Sequence, residues 1–275
     1  MPIASSGIAE APTEPRGLGW ARVPRLVRRP LVAAALIALW HVYAVHKGPL
    51  LVATPGQTVR ELWNGWLNGS LAHPTWVTLR LLLEGFGIGT LAAAALIAFA
   101  TLSSLGEDVL TLLTAVLAPL PSIAVLPIAM LLFGLDETAI RFVIANATVW
   151  PIAIAVGTGV KTTNQTLVAV GRNIGLSKHR VLTDVLMPSA LPATIAGLKT
   201  AWAFGWRAII ATELVFGVVG GTGGLGNYIN SAREYLLTPR MYAGLLTIAI
   251  LGVVFETSFG LLERRTVVRW GMKTG

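Results

Sequence analysis

The sequence contains no cysteine. Disulfide scaffolds, cysteine-ligated zinc or iron–sulfur clusters and thiol catalysis are thereby excluded. Charge is scarce: 12% of the 275 residues are charged, about half the share of a soluble domain. The four histidines, His41, His46, His73 and His179, are scattered and show no metal-ligand spacing. The glycine-rich stretch GVVGGTGGLG (217–226) lacks the lysine, and the hydroxyl residue directly after it, that a phosphate loop needs. Neither paired intramembrane aspartates nor a HExxH helix is visible, so no enzyme is expected.

What is present is apolar. Hydrophobic residues make up 54% of the chain, and the mean hydropathy is +0.70. A helix needs about 20 apolar residues to cross the hydrocarbon core. The run from Leu31 to Val45 and segments near 76–103, 108–134, 138–160, 191–218 and 241–262 predict six spans. The net charge of +8 and pI near 10.4 would suit nucleic acid. The basic residues, however, gather in the N-terminal tail, one internal loop and the C-terminal tail, which is the pattern of the positive-inside rule. No nucleic-acid partner is expected; membrane lipid is.

The expected architecture is therefore an all-α membrane protein of about six transmembrane helices. Residues 1–29 form a cytoplasmic N-terminal tail, of which 1–19 read as mobile. Arg22, Arg25, Arg28 and Arg29 precede an uncleaved first span. Residues 30–262 hold the six spans, and 263–275 form a cytoplasmic C-terminal tail. Lys161, Arg172, Lys178 and Arg180, with Arg264, Arg265, Arg269 and Lys273, then face the same side as the N-terminus.

Between the first two spans, 52–67 reads as a short helix with Thr54 as N-cap and Pro55 at its first position. Val59, Leu62, Trp63 and Trp66 form an apolar stripe for the membrane interface or for neighbouring spans. Gly85 and Gly89 have GxxxG spacing, for packing within the chain or for a dimer contact. Pro119, Pro121 and Pro127 each remove a backbone donor, and three in nine residues mark a kinked helix along a pathway. In the fifth span Arg207 lies near the centre, where a cation costs about 2.5–3.5 kcal/mol. It must face a polar cavity or a partner. Glu213 is six residues on, on a different face, so it should meet another helix or another subunit. Trp202 and Trp206 add aromatic surface. Pro121, Pro127, Trp206, Arg207 and Glu213 are the candidate pathway residues.

The polar stretch 161–190 cannot span. It reads as a helix to Ile174, a break at Gly175, and a short helix capped by Ser177 whose apolar side carries Val181, Leu182, Val185 and Leu186. That side needs a partner: a soluble protein, or the chain's own spans. Pro188 and Pro192 are expected to redirect the chain into the next span.

These features resemble the permease subunits of binding-protein-dependent ABC importers, in the nitrate, taurine and alkanesulfonate branch, over most of residues 30–270. The family signature opens on Glu-Ala-Ala, has a glycine six residues after the Glu and closes on Ile/Val-Leu-Pro. Here Gly175 is that glycine and Leu186-Met187-Pro188 the close, while Ala169 replaces the acidic residue. PLPSIAVLPIAMLLFGL (119–135) and WRAIIATELVFGVVGGTGGLGNYI (206–229), with Gly224, Leu225 and Gly226, are similar to two further family stretches. The resemblance implies a type I importer permease, in the bacterial inner membrane, that moves a small anion such as a sulfonate, taurine or nitrate. It also implies a second copy as homodimer partner, two cytoplasmic ATPase subunits and a substrate-binding protein outside. ATP and Mg would be bound by the ATPase, with no cofactor in this chain. Gly175, Leu176, Ser177, Lys178, Arg180, Val181 and Leu182 would form the coupling helix. A secondary transporter without an ATPase is the competing reading.

Overall fold

A computed structural model describes residues 25–217 and 223–268. The N-terminal tail, most of the C-terminal tail, and 218–222 of the glycine-rich stretch lie outside the described residues. Among these residues the secondary structure is entirely helical. Five helices are long and apolar enough to cross a membrane. They are α1 (Arg25–Lys47), α3 (Ala72–Leu102), α6 (Glu137–Lys161), α9 (Met187–Phe216) with the turns leading into it, and α11 (Thr238–Glu263).

The expected third span is different in kind. Two helices, α4 (Ser104–Leu117) and α5 (Leu126–Phe133), replace one kinked helix over 108–134, with a bend of 97° between them. The cause is Pro119 and Pro121. Neither can donate to the preceding turn, and each disfavours helix in the residue before it. A 3₁₀ turn, Ser122–Val125, follows the break. Pro127 does not kink anything: it sits in the first turn of α5, where amide hydrogens lack intrahelical acceptors anyway. The joint between α3 and α4 is a single residue, Ser103, whose Oγ accepts from the Gly106 amide at 2.9 Å. A Cβ on Gly106 would lie 2.2 Å from the Phe99 carbonyl, so only glycine fits this turn.

The centre is a three-helix core of α3, α6 and α9. Lipid tails supply no hydrophobic drive between helices, so close approach through small residues does the work. Gly85 and Gly89 of α3 face α6: a Cβ at Gly89 would stand 1.9 Å from Thr148 Oγ1, and one at Gly85 2.6 Å from Ile144. The GxxxG pair is thus spent on packing within the chain. The pairing rises in step along both sequences, so α3 and α6 run parallel. Further along α6, Gly159 meets Ala193 and Gly197 meets Ala155, which makes α9 antiparallel to it. Leu82, Ile144 and Ile209 are fully buried where the three meet.

The flanking elements follow sequence cues. In α2 (Pro55–Leu67) the Gln57 amide donates to Thr54 Oγ1 and the Thr54 amide donates to Gln57 Oε1, a reciprocal capping box. Its Val59, Trp63 and Trp66 point outward, and Thr58 and Gly65 face the protein. The helix α1 leans on the rest through buried Ala44 and a Trp40–Tyr242 stack at 5.8 Å.

Candidate transport pathway and coupling segment

A cavity of about 670 Å³ opens at the proline break. Its walls are Pro119, Pro121 and Ser122 of the break, Asn146 and Trp150 of α6, and Thr200, Phe204 and Arg207 of α9. Most of the lining is apolar, with Ala and Ile filling between the polar groups. Asn146 Oδ1 accepts from Trp150 Nε1 at 3.2 Å. The Arg207 guanidinium is exposed and lies 5.9 Å from the Phe204 ring centroid. Among the described residues it has no carboxylate partner. A cation without a carboxylate partner beside an open cavity attracts anions.

Beyond the cavity, Glu213 fastens the end of the fold. It is 2% exposed. Thr78 Oγ1 of α3 donates to this carboxylate, at 2.8 and 2.9 Å from its two oxygens, and the Gly226 amide donates to Oε2 at 2.9 Å. The Leu225 amide in turn donates to Thr78 Oγ1 at 2.8 Å. The N-cap Gly224 of α10 (Leu225–Glu234) offers no side-chain cap, so Glu213 and Thr78 cap that helix from two other helices. A Cβ on Gly224 would lie 2.0 Å from Glu213 Oε1, and one on Gly226 2.6 Å from Glu213 Cβ. The Gly-Leu-Gly sequence thereby lets α10 seat on its own cap, with Leu225 fully buried between.

A second polar constellation joins α3 to α6. Arg80 pairs with Glu137, Arg141 Nε bonds Glu84 at 2.6 Å, and Arg141 Nη2 bonds Glu137 at 2.6 Å. Arg80 and Glu84 close the ring at 4.0 Å. Sequence reasoning missed all four residues. The signal was a matching pair of i, i+4 charges, Arg80/Glu84 and Glu137/Arg141, each pair 57 residues from its mate. Just before α6, the Thr138 hydroxyl and amide hold the Asp136 carboxyl below its usual range.

At the opposite end from α10, the polar stretch folds as α7 (Gln165–Asn173), a turn, and α8 (Lys178–Val181). Gly175 has φ +84°. The Leu176 amide donates to Gly171 O and the Gly175 amide to Arg172 O, both at 3.0 Å. This is a Schellman ending, which places glycine in the left-handed region. Ser177 Oγ accepts from the Arg180 amide at 3.3 Å. The apolar side of the second helix does not face out. Leu176, Val181 and Val185 pack over Gly171 of α7. The exposed apolar edge belongs to α7: Leu167 and Val170 at 51% and Ile174 at 71%. Nor does the chain break before the next span. A π turn, Leu182–Leu186, runs directly into α9 and accommodates Pro188 in its first turn, and Pro192 lies within the helix. The wide turn removes the need for the amide that Pro188 lacks.

A bent span beside a cavity, and a glycine-hinged helix pair off one end of the bundle, are features of a membrane transport component. The model of the family described as "binding-protein-dependent transport system inner membrane component" matches residues 85–268. The chain belongs to this family. The taurine transport system permease protein TauC of Escherichia coli (strain K12) is 30% identical over 84% of this permease and 86% of its own length. The nitrate import permease protein NrtB of Synechocystis is 26% identical over 89% and 90%. A crystal structure of an amino acid ABC transporter with histidines matches with a TM-score of 0.60 at 16% identity, over 74% of this permease and 97% of that chain. That likeness speaks for the fold alone. Family membership decides between the transport classes left open by the sequence, in favour of the binding-protein-dependent importers.

Of the candidate pathway residues, the cavity of this permease brings together only Pro121 and Arg207. Pro127 is exposed on α5, away from it. Trp206 is 9% exposed and packs edge-on against Phe255 of α11 at 5.6 Å. Glu213 is in the interior, as the cap of α10. Both face away from the cavity because a helix turns about 100° per residue, which leaves Arg207 as the charged residue of α9 on that side.

Proposed function

We propose that this chain is the permease subunit of an ATP-driven importer for a small oxyanion, of the kind typified by a sulfonate, taurine or nitrate. The observation that carries the reading is Arg207: a cation without a carboxylate partner among the described residues, lining a cavity at the middle of a span. The names of the relatives agree, since taurine and nitrate both carry oxyanion groups. Two copies would enclose the pathway, each closing the open side of the other's cavity. ATPase subunits, binding ATP and Mg, would seat against α7 and the Gly175 turn. Both termini and the coupling segment would be cytoplasmic, and α2 and α10 would face a substrate-binding protein outside.

In mechanism, closure of the ATPase pair would push α7 and α8. Because α8 runs without a break into α9, the displacement would reach Arg207 along one helix. The core would then open towards the binding protein, and hydrolysis would reset it. The test is uptake of radiolabelled taurine and nitrate into proteoliposomes holding the permease, its ATPase and its binding protein. Uptake should need ATP and fall at least about tenfold in Arg207→Gln. Unchanged uptake in that variant would remove Arg207 from the pathway. ATP-independent uptake would overturn the importer reading.

A further inference from the structure

A second cavity, of about 340 Å³, lies at the α10 end of the fold, away from the pathway. It is formed by the turn before α3, the side of α10 and the first turn of α11. Ser70, His73, Asn227, Tyr228, Ser231, Tyr235 and Arg240 supply its polar groups, and among the described residues no acidic residue lines it. Its size is at the lower end of small-molecule sites, which run from roughly 300 to 1,000 Å³.

Two features of this cavity lack an explanation within the chain. Tyr228 is 6% exposed, and its buried hydroxyl lacks a hydrogen bond of good geometry although Arg240 and Ser70 are polar neighbours within reach. A buried polar atom of this kind needs a partner. Arg240 lies with its guanidinium 4.8 Å over the Tyr228 ring, and it forms no ion pair among the described residues. A guanidinium carries five N–H donors, so one placed over a ring has donors to spare for a ligand. Glu61 of α2 is near enough to act on the phenol but does not line the cavity. Burial raises the Tyr228 phenol above its ordinary value, with Arg240 opposing the rise, so the hydroxyl keeps its proton and can donate.

We propose that this cavity is a second anion site, receiving one small oxyanion on the Arg240 guanidinium and the Tyr228 hydroxyl. Ser70, Asn227 and Ser231 add neutral hydrogen-bonding groups around it. Arg240 supplies the charge and Tyr228 the orientation. The site is separate from the Arg207 cavity: no residue lines both. An anion held there would wait beside α10 before entering the pathway, so the inference extends the transport reading without resting on Arg207.

The experiment is equilibrium binding of radiolabelled inorganic sulfate to the purified full chain in detergent, without ATPase or binding protein. One saturable sulfate per chain is expected in Arg207→Gln protein, in which the pathway cation is gone. Arg240→Gln should weaken that binding by at least about tenfold and Tyr228→Phe by about two- to tenfold. Tyr228→Phe keeps the ring and its stacking, so it reads the site even where Arg240→Gln fails to fold. No saturable binding in Arg207→Gln protein overturns the proposal, as does a folded Tyr228→Phe chain that binds like its parent. Because transport is not measured, these failures are distinct from failure of the importer reading.

Discussion

Thr78 Oγ1 stands 2.8 Å from Glu213 Oε1, across 135 residues of sequence, and the same oxygen accepts the Leu225 amide. One hydroxyl thus ties α3, α9 and α10 together. Glu213→Ala would leave Thr78 and the Gly226 amide without their buried partner. Each orphaned group costs about 1–3 kcal/mol. A clear fall in the melting temperature of the detergent-solubilised permease is expected, with Glu213→Gln falling less because it keeps one carbonyl acceptor.

The glycines of α3 offer a built-in control. Gly89→Ala would force a Cβ against Thr148 Oγ1 and the Ala145 carbonyl, whereas a Cβ at Gly87 meets nothing within 4 Å. Overpacking of this kind costs about 1–3 kcal/mol. Gly87→Ala should be neutral or stabilising by up to about 1 kcal/mol, since alanine is the better helix former. Thermal melts of the two variants side by side test the difference.

The ring of Arg80, Glu84, Glu137 and Arg141 should show strong coupling. Arg141→Ala takes one of two partners from each of Glu84 and Glu137, and Glu137→Ala takes one of two from each of Arg80 and Arg141. The double variant removes both sides of the contact. Its loss of stability is expected to be smaller than the sum of the single losses by about 0.5–3 kcal/mol. A double-mutant cycle on melting temperature or denaturant midpoint measures it.

On the α7–α8 segment, two substitutions should separate docking from folding. Ile174→Asp places a charge on the exposed edge of α7 and should abolish co-purification with the ATPase while leaving the melting temperature unchanged. Val181 is 5% exposed, and Val181→Asp should lower both. Gly175→Ala sits between them: a left-handed alanine costs about 1–2 kcal/mol, and transport per ATP hydrolysed should drop.

Local signals were legible in the sequence because their physics is local. The Thr54 cap, the Pro55 start, the break at Gly175 and the Ser177 turn all rest on contacts within six residues, and the structure has each of them. The proline-rich span was legible as irregular but not as a 97° break. Whether two closely spaced prolines kink or split a helix depends on what fills the space beside them. The charge ring was not legible at all. Its two halves are ordinary i, i+4 pairs until α3 and α6 lie parallel in register. The direction of the α8 face was likewise undetermined, since an amphipathic pattern fixes which side is apolar and not what covers it. For Arg207 and Glu213 the sequence separated the faces correctly, but only packing put one in a cavity and the other under α10.

The split span has a consequence for the solvent inside the bilayer. Pro119 has no amide hydrogen to offer the Ala115 carbonyl, and residues 119–121 line the cavity with non-helical backbone. Hydrocarbon does not tolerate such backbone; protein or water must meet it. The notch beside Arg207 must therefore be met by water or by a second protein surface, and on the proposed importer reading a solute entering it would exchange part of its hydration shell for carbonyl dipoles and a guanidinium instead of being stripped bare.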